Sequence, residues 1–258
     1  MTSLVRAEWT KLFTTRVWIG LVLGACAMAG AFVALFTGFA GQTQPNGQPG
    51  IPAVGTPEFE HVALSQIGNA TILMLILGII GMTQEYRHRT ATPTFLTTPR
   101  RWKVVAAKLV GYLLAAIPLA LAIMAVGVLV LEIFAGARGA APSLVDHENL
   151  RILAGVFGGL VIYAVIGVGV GALLRNQVGA IVGALVYLLV VEAVIRSIPA
   201  TSSAYKWLPG GALQAMTAGT QAQGPAVLEP WAGALVLLGY GLLAALLGTI
   251  FAVRRDVT

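Results

Sequence analysis

Six times between Val17 and Val253 the sequence runs for about twenty residues with almost no charge. The stretches are about 17–40, 62–84, 104–134, 151–174, 178–196 and 231–253. A helix needs roughly 20 apolar residues to cross the hydrocarbon of a bilayer. Inside that hydrocarbon every backbone N–H and C=O must find a partner within the protein, which leaves only helices and closed barrels. The short alternating strands of a membrane barrel are absent from the pattern. Charged residues make up 10% of the chain, against about 25% in a soluble domain. The expectation is an all-α polytopic membrane protein, forming a single transmembrane domain over 1–258. The net charge of +6 then reflects topology and points to no nucleic-acid partner.

The first apolar run is preceded by residues 2–15, in which Val5, Trp9, Leu12 and Phe13 recur at helical spacing while Arg6, Glu8 and Lys11 fall mostly on other faces. This predicts an amphipathic helix lying in the membrane interface. The run from Val17 to about Ala40 exceeds the roughly 7–15 residues of a signal-peptide core, so an uncleaved first span is expected. Residues 41–60 and 135–150 carry acids, Gly and Pro and read as loops on one side. Pro118 is expected to bend the long third span. Spans four and five are joined only by Arg175-Asn176-Gln177 and must form an antiparallel hairpin. With both ends inside, twelve of the sixteen Lys and Arg residues fall on the inner side, as the positive-inside rule requires.

Six of the basic residues lie between Glu85 and Lys108: Arg87, Arg89, Arg100, Arg101, Lys103 and Lys108. Within this stretch Thr92 can cap a helix whose first position is Pro93, where the missing N–H costs nothing. Pro99 disfavours a helical Thr98 and stops the turn. A short helix presenting Phe95 and Leu96 between cations is expected at the inner membrane face.

The residues Glu85-Tyr86-Arg87-His88-Arg89-Thr90, then Phe95-Leu96-x-Thr98-Pro99-Arg100-Arg101 and Lys108, resemble the segment between the first two membrane hairpins of ABC-2 type transporter permeases. Arg89 stands where that family usually has glycine. The resemblance implies that 85–103 carries a cytoplasmic coupling helix seated in a groove of an ABC ATPase subunit, with Glu85, Thr92, Pro93, Phe95, Leu96, Pro99, Arg100 and Arg101 as coupling residues. It further implies an exporter in the bacterial plasma membrane, with two permease copies or homologues and both termini cytoplasmic. ATP and Mg would be held by the partner ATPase, because this chain has no G-x-x-x-x-G-K-[ST] phosphate loop and no cofactor of its own is expected. His61, His88 and His147 are scattered, and Cys26 is alone, so no catalytic or metal set is expected. Composition leaves a non-transporting six-span scaffold or sensor as the alternative. The substrate class, whether drug, peptide, lipid or glycan, stays open.

Three further features stand out. Gly155, Gly159, Gly167 and Gly171 share one face of span four with Tyr163, and Gly20/Gly24 and Gly179/Gly183 repeat the spacing. Small residues so arranged let backbones approach closely. Packing within the bundle is the expectation, although spacing alone also fits a dimer interface or a substrate path. Glu132 and Glu192 are the acids nearest membrane depth, where ionisable residues are functional candidates. Glu192 can pair with Arg196 one turn on, which favours a paired helix end, while Glu132 is open either way. Finally, 205–216, with Tyr205, Trp207 and Leu208-Pro209-Gly210-Gly211, resembles the partly re-entrant helical pair before the last span of ABC-2 permeases, with an ordinary interfacial loop as the alternative.

Overall fold

The computed structural model describes residues 2–42, 50–87, 101–174, 176–218 and 227–254. Among them the fold is all-helical, and six helices are long and apolar enough to cross a membrane; the chain is a polytopic membrane protein. In chain order the described helices are α1 (Thr2–Thr14) and α2 (Val17–Gly38), then α3 (Pro57–Ser65) running through a 3₁₀ turn, Gln66–Ala70, into α4 (Thr71–Arg87). Next come α5 (Arg101–Gly136), α6 (His147–Leu174) and α7 (Gln177–Val186), which continues as a π turn, Tyr187–Val191, into α8 (Glu192–Ser197). The short helices α9 (Ser202–Tyr205) and α10 (Pro209–Thr217) precede α11 (Pro230–Arg254).

Boundaries moved where capping chemistry outweighs hydropathy. The second span begins at Pro57, five residues before its apolar run, because Thr56 Oγ1 accepts the Phe59 N–H at 3.3 Å and Pro57 takes the first helical position. Residues 57–60, expected in a loop, are therefore helical. The fourth span likewise starts at His147, with the Asp146 carboxylate accepting the Glu148 N–H at 3.1 Å. The third span is one helix of 36 residues that continues through Pro118. At 1.5 Å per residue it is about 54 Å long, well beyond the roughly 30 Å hydrocarbon, so its ends project past the apolar layer. Between α6 and α7, Asn176 Oδ1 accepts the Gly179 N–H at 3.0 Å and starts the return helix.

α6 is the central pillar, packed on α4, α5, α10 and α11. Two thirds of its most apolar window is buried, against 11% for the fifth span. Lipid tails are as apolar as leucine, so helices associate in a bilayer through close van der Waals contact. The glycine face provides that contact. A Cβ on Gly167 would lie 2.1 Å from the Leu75 carbonyl oxygen, and one on Gly171 2.9 Å from Met82 Cβ, so both positions meet α4. At Gly155 it would lie 2.2 Å from the Met216 carbonyl, and at Gly159 2.4 Å from Leu213 Cδ1, so these meet α10. The stripe is thus used within the subunit. Its echoes are used less: a Cβ at Gly24 would lie 3.5 Å from Leu73 Cδ1 of α4 and one at Gly179 3.5 Å from Asn176, whereas at Gly20 and Gly183 no described atom lies within 4 Å.

These contacts set an order of effects. Gly167→Leu collides with backbone and should abolish recovery of monodisperse protein. Gly159→Ala meets only the end of a leucine side chain that can rotate away, and should melt within a few degrees of wild type. Leu160→Ala, at a fully buried site, should fall between, since such truncations cost about 2–5 kcal/mol. Melting of detergent-solubilised protein checks the ranking, and equal losses at positions 159 and 167 would contradict it.

The connection before α11 dips back into the bundle. α10 lies against α6 and α11, with Met216 at the level of Gly155 and Leu213 at that of Gly159. Its first turn therefore sits deeper than its last. Arg151, held by Glu148 at 2.6 and 3.0 Å, donates to the Ala218 carbonyl and fixes the shallow end.

Candidate functional site

Glu85, near the end of α4, comes together with Lys108 of α5 and with Glu8 and Lys11 of α1. Lys108 is fully buried, and its three ammonium protons meet three acceptors: Glu8 Oε2, Glu85 Oε1 at 3.0 Å and the Gly81 carbonyl at 3.3 Å. Lys11 Nζ lies 2.7 Å from Glu8 Oε1 and 2.9 Å from Glu85 Oε1. Among the described residues these two carboxylates and two ammoniums form a neutral quartet. Burial alone would lower the Lys11 pKa, but the two carboxylates outweigh it and hold the group above its ordinary value. The stability Lys11 contributes is therefore complete below the unfolded value, and is lost only as pH rises through the raised folded one.

Neighbouring packing makes the quartet possible. Gly81 leaves room for the Tyr112 ring, which a Cβ there would meet at 1.9 Å, and Tyr112 is itself buried. Gly111 lets α1 settle on α5, its nearest neighbours being Glu8 Cβ at 3.4 Å and the Val5 carbonyl at 3.8 Å. Of the residues expected on the apolar face of α1, Leu12 is buried and Trp9 exposed, and Glu8, expected on another face, is buried as well. Trp9, Phe13 and Trp18 form a ladder with ring centroids 5.0 Å apart at each step. In an interface the indole suits the headgroup level, and the paired acid takes the protein side.

The quartet holds both roots of the segment 88–100. Glu85 lies three residues before it, and Lys108 two helical turns into α5 after it. Of the expected coupling residues, Thr92, Pro93, Phe95, Leu96, Pro99 and Arg100 lie outside the described residues, and Arg101 opens α5. Glu85 is turned into the protein rather than outward. At the same end Arg87 Nη1 reaches Gln177 Oε1 at 3.5 Å and links α4 to α7. Sequence reasoning missed Glu8 and Lys11 as partners of this site. The local signal was an acid beside Leu12 with a lysine three residues on, but nothing local joins residue 8 to residues 85 and 108.

The opposite end of the bundle carries a cavity of about 1140 Å³ between α2, the α3–α4 bend, α6, α8 and α10. Glu192 lines it. The expected Glu192–Arg196 pair is not made: the Glu192 carboxylate accepts the Gly210 N–H, at 3.2 and 2.9 Å, and Arg196 lies over the Tyr205 ring at 5.5 Å. The N–H groups at the start of α10 attract a carboxylate directly, whereas the i,i+4 geometry offered only an exposed pair. Glu132 is half-buried on α5 and makes no hydrogen bond or ion pair with a described residue. Glu60 is buried between Asn149 Nδ2, at 2.7 Å, and the Ser143 N–H, at 3.3 Å, so it ties α3 to the loop before α6. Among the described residues no three His, Cys, Asp or Glu side chains are placed to hold a metal ion.

The chain matches no protein-family model and no curated protein sequence.

Proposed function

We propose that the chain is the membrane subunit of an ABC-2 type exporter, driven by ATP hydrolysis on a separate polypeptide. The observation that carries this reading is the quartet Glu8, Lys11, Glu85 and Lys108, which clamps both roots of the segment bearing the coupling pattern Thr92-Pro93-x-Phe95-Leu96-x-x-Pro99. A loop that only connects two spans needs no such clamp. A segment that receives a push needs roots that do not slip, and a desolvated charge cluster supplies them. In this reading Glu85 and Lys108 hold the coupling segment, and Phe95 and Leu96 touch the ATPase. The basic end of the bundle faces the cytoplasm, and the cavity beside Glu192 opens on the far side.

ATP binding would close the ATPase pair and shift the coupling segments. The quartet passes that displacement to α1, α4 and α5 as one body, and the close α4–α6 contact at Gly167 carries it to the pillar. The drive is the difference in affinity of the ATPase pair for the two arrangements of the spans. Two copies of the chain, or one copy and a homologue, complete the path.

The test is recovery of the tagged chain from its native membrane in mild detergent. A subunit with a G-x-x-x-x-G-K-[ST] loop should accompany it, with ATPase activity that elutes alongside. A chain that purifies alone from a mild extraction, with no ATPase in the fraction, would point to the scaffold or sensor instead.

A further inference from the structure

The fifth span changes character halfway along. α7 is packed against α4 and α6. After Val186 the backbone widens into the π turn Tyr187–Val191, a form that recurs at functional sites. Within it Leu189 and Val190, and beyond it Val194, are exposed, and α8 is tied to the re-entrant connection through the contacts of Glu192 and Arg196 already described. Between this half of the span and the α3–α4 bend lies the cavity. Its volume, about 1140 Å³, is a little above the roughly 300–1,000 Å³ of small-molecule pockets.

Among the described residues one hydrogen-bond acceptor in its wall lacks a donor and a second has fewer donors than it can accept. The Glu192 side chain is 3% exposed. A carboxylate has about four acceptor sites, and the Gly210 N–H is its one described partner. Gln214 Oε1 is buried with no hydrogen-bond partner among the described residues. Gly210 and Gln214 are four residues apart on α10, hence on one face, so the two acceptors converge on the same part of the cavity. Buried polar atoms are normally satisfied, and a buried carboxylate calls for a cation. Of the basic side chains in the wall, Arg196 is exposed and engaged with Tyr205, and His61 stands with Glu58 on α3 across the cavity from Glu192. Glu58 on the opposite wall adds a second negative charge, and Phe36, Ile72, Leu188 and Leu213 supply apolar surface.

We propose that this cavity binds a lipophilic primary or secondary ammonium, whose N–H groups donate to the Glu192 carboxylate and Gln214 Oε1 while its apolar body lies along Phe36, Ile72, Leu188 and Leu213. The Tyr163 ring in the same wall offers a further surface attractive to a cation. As the identity of an exported cargo the inference rests on the function proposed above; as a binding site it stands without ATP or a partner subunit.

The experiment uses the full chain in lipid nanodiscs and the fluorescent primary amine dansylcadaverine, with its N-acetylated, uncharged form as control. Saturable binding above empty nanodiscs is expected, with at least about tenfold weaker binding of the acetylated probe, because hydrogen bonds to charged groups are the strong ones. Glu192→Gln should weaken binding of the amine by a similar factor and leave the acetylated form unchanged. If that variant does not fold, Ala193→Trp decides the matter, since it fills the cavity from an exposed wall position and keeps the carboxylate; it should abolish binding. Equal binding of both probes, wild-type affinity in Ala193→Trp or in folded Glu192→Gln, or no saturable signal overturns the proposal. Saturable binding without ATP-driven movement of the probe in the ATPase-bound complex would leave the site standing and count against the exporter reading.

Discussion

Lys108→Met is expected to be the most destabilising single change outside the glycine face. It leaves Glu8 and Glu85 buried with Lys11 as their one remaining quartet partner, and Lys11 is partly exposed. Removing one member of a buried ion cluster costs about 3–5 kcal/mol, because the partner charge stays desolvated without compensation. The melting temperature of the purified protein should drop by many degrees, and α1 should become sensitive to protease. The double variant Glu8→Leu with Lys108→Met removes one charge of each sign and keeps the Lys11–Glu85 pair. It should recover most of the loss, as apolar replacements of a buried pair often do. A Lys108→Met protein that melts like wild type would show that the cluster is solvated in the membrane, and would remove the clamp on which the proposed function stands.

The six spans were legible because hydropathy is a property of consecutive residues, and a bilayer reads consecutive residues. The glycine stripe was legible for the same reason: its spacing maps onto one helix face wherever the helix lies. Its partners were not, since the half toward the start of α6 meets α10 at Met216 and Leu213 and the half toward its end meets α4 at Leu75 and Met82. Periodicity set Glu8 on a different face of α1 from Trp9, Leu12 and Phe13, but it does not say which neighbour each face meets. At a membrane interface the environment is inverted, with lipid receiving the tryptophan and the protein the paired acid. Glu192 was misassigned to Arg196 by a local rule, when the groups that decided its position, Gly210 and Tyr205, lie beyond a turn whose re-entry composition does not encode. The quartet joins residues 8, 11, 85 and 108, and only the fold assembles them.

Replacing both Phe95 and Leu96 by aspartate tests the proposed function most directly. The two positions lie outside the described residues, between α4 and α5, so the substitution alters no span and no member of the quartet. Insertion depends on the apolar runs and their flanking cations, so expression, membrane fraction and melting temperature should match wild type. If the segment docks in an ATPase groove, these side chains are its apolar anchors, and Arg100, Arg101 and Lys103 hold it near the anionic leaflet or against acids on the partner. Interface anchors contribute about 2 kcal/mol or more each, so losing two weakens association about a thousandfold. Charge placed in the groove adds a desolvation penalty in the same direction. Pull-down of the ATPase should fall to background, and ATP hydrolysis coupled to transport should fall with it. Arg138→Ala serves as the control: Arg138 donates to the Gly38 carbonyl at 2.9 Å in a surface contact between α2 and the loop after α5, at the end of the bundle away from the quartet, and both readouts should stay near wild type. A double-aspartate protein that binds the ATPase with undiminished affinity would mean that the segment is a basic loop and nothing more. The quartet would then be a brace for α1, and the six spans would be better read as a scaffold or sensor.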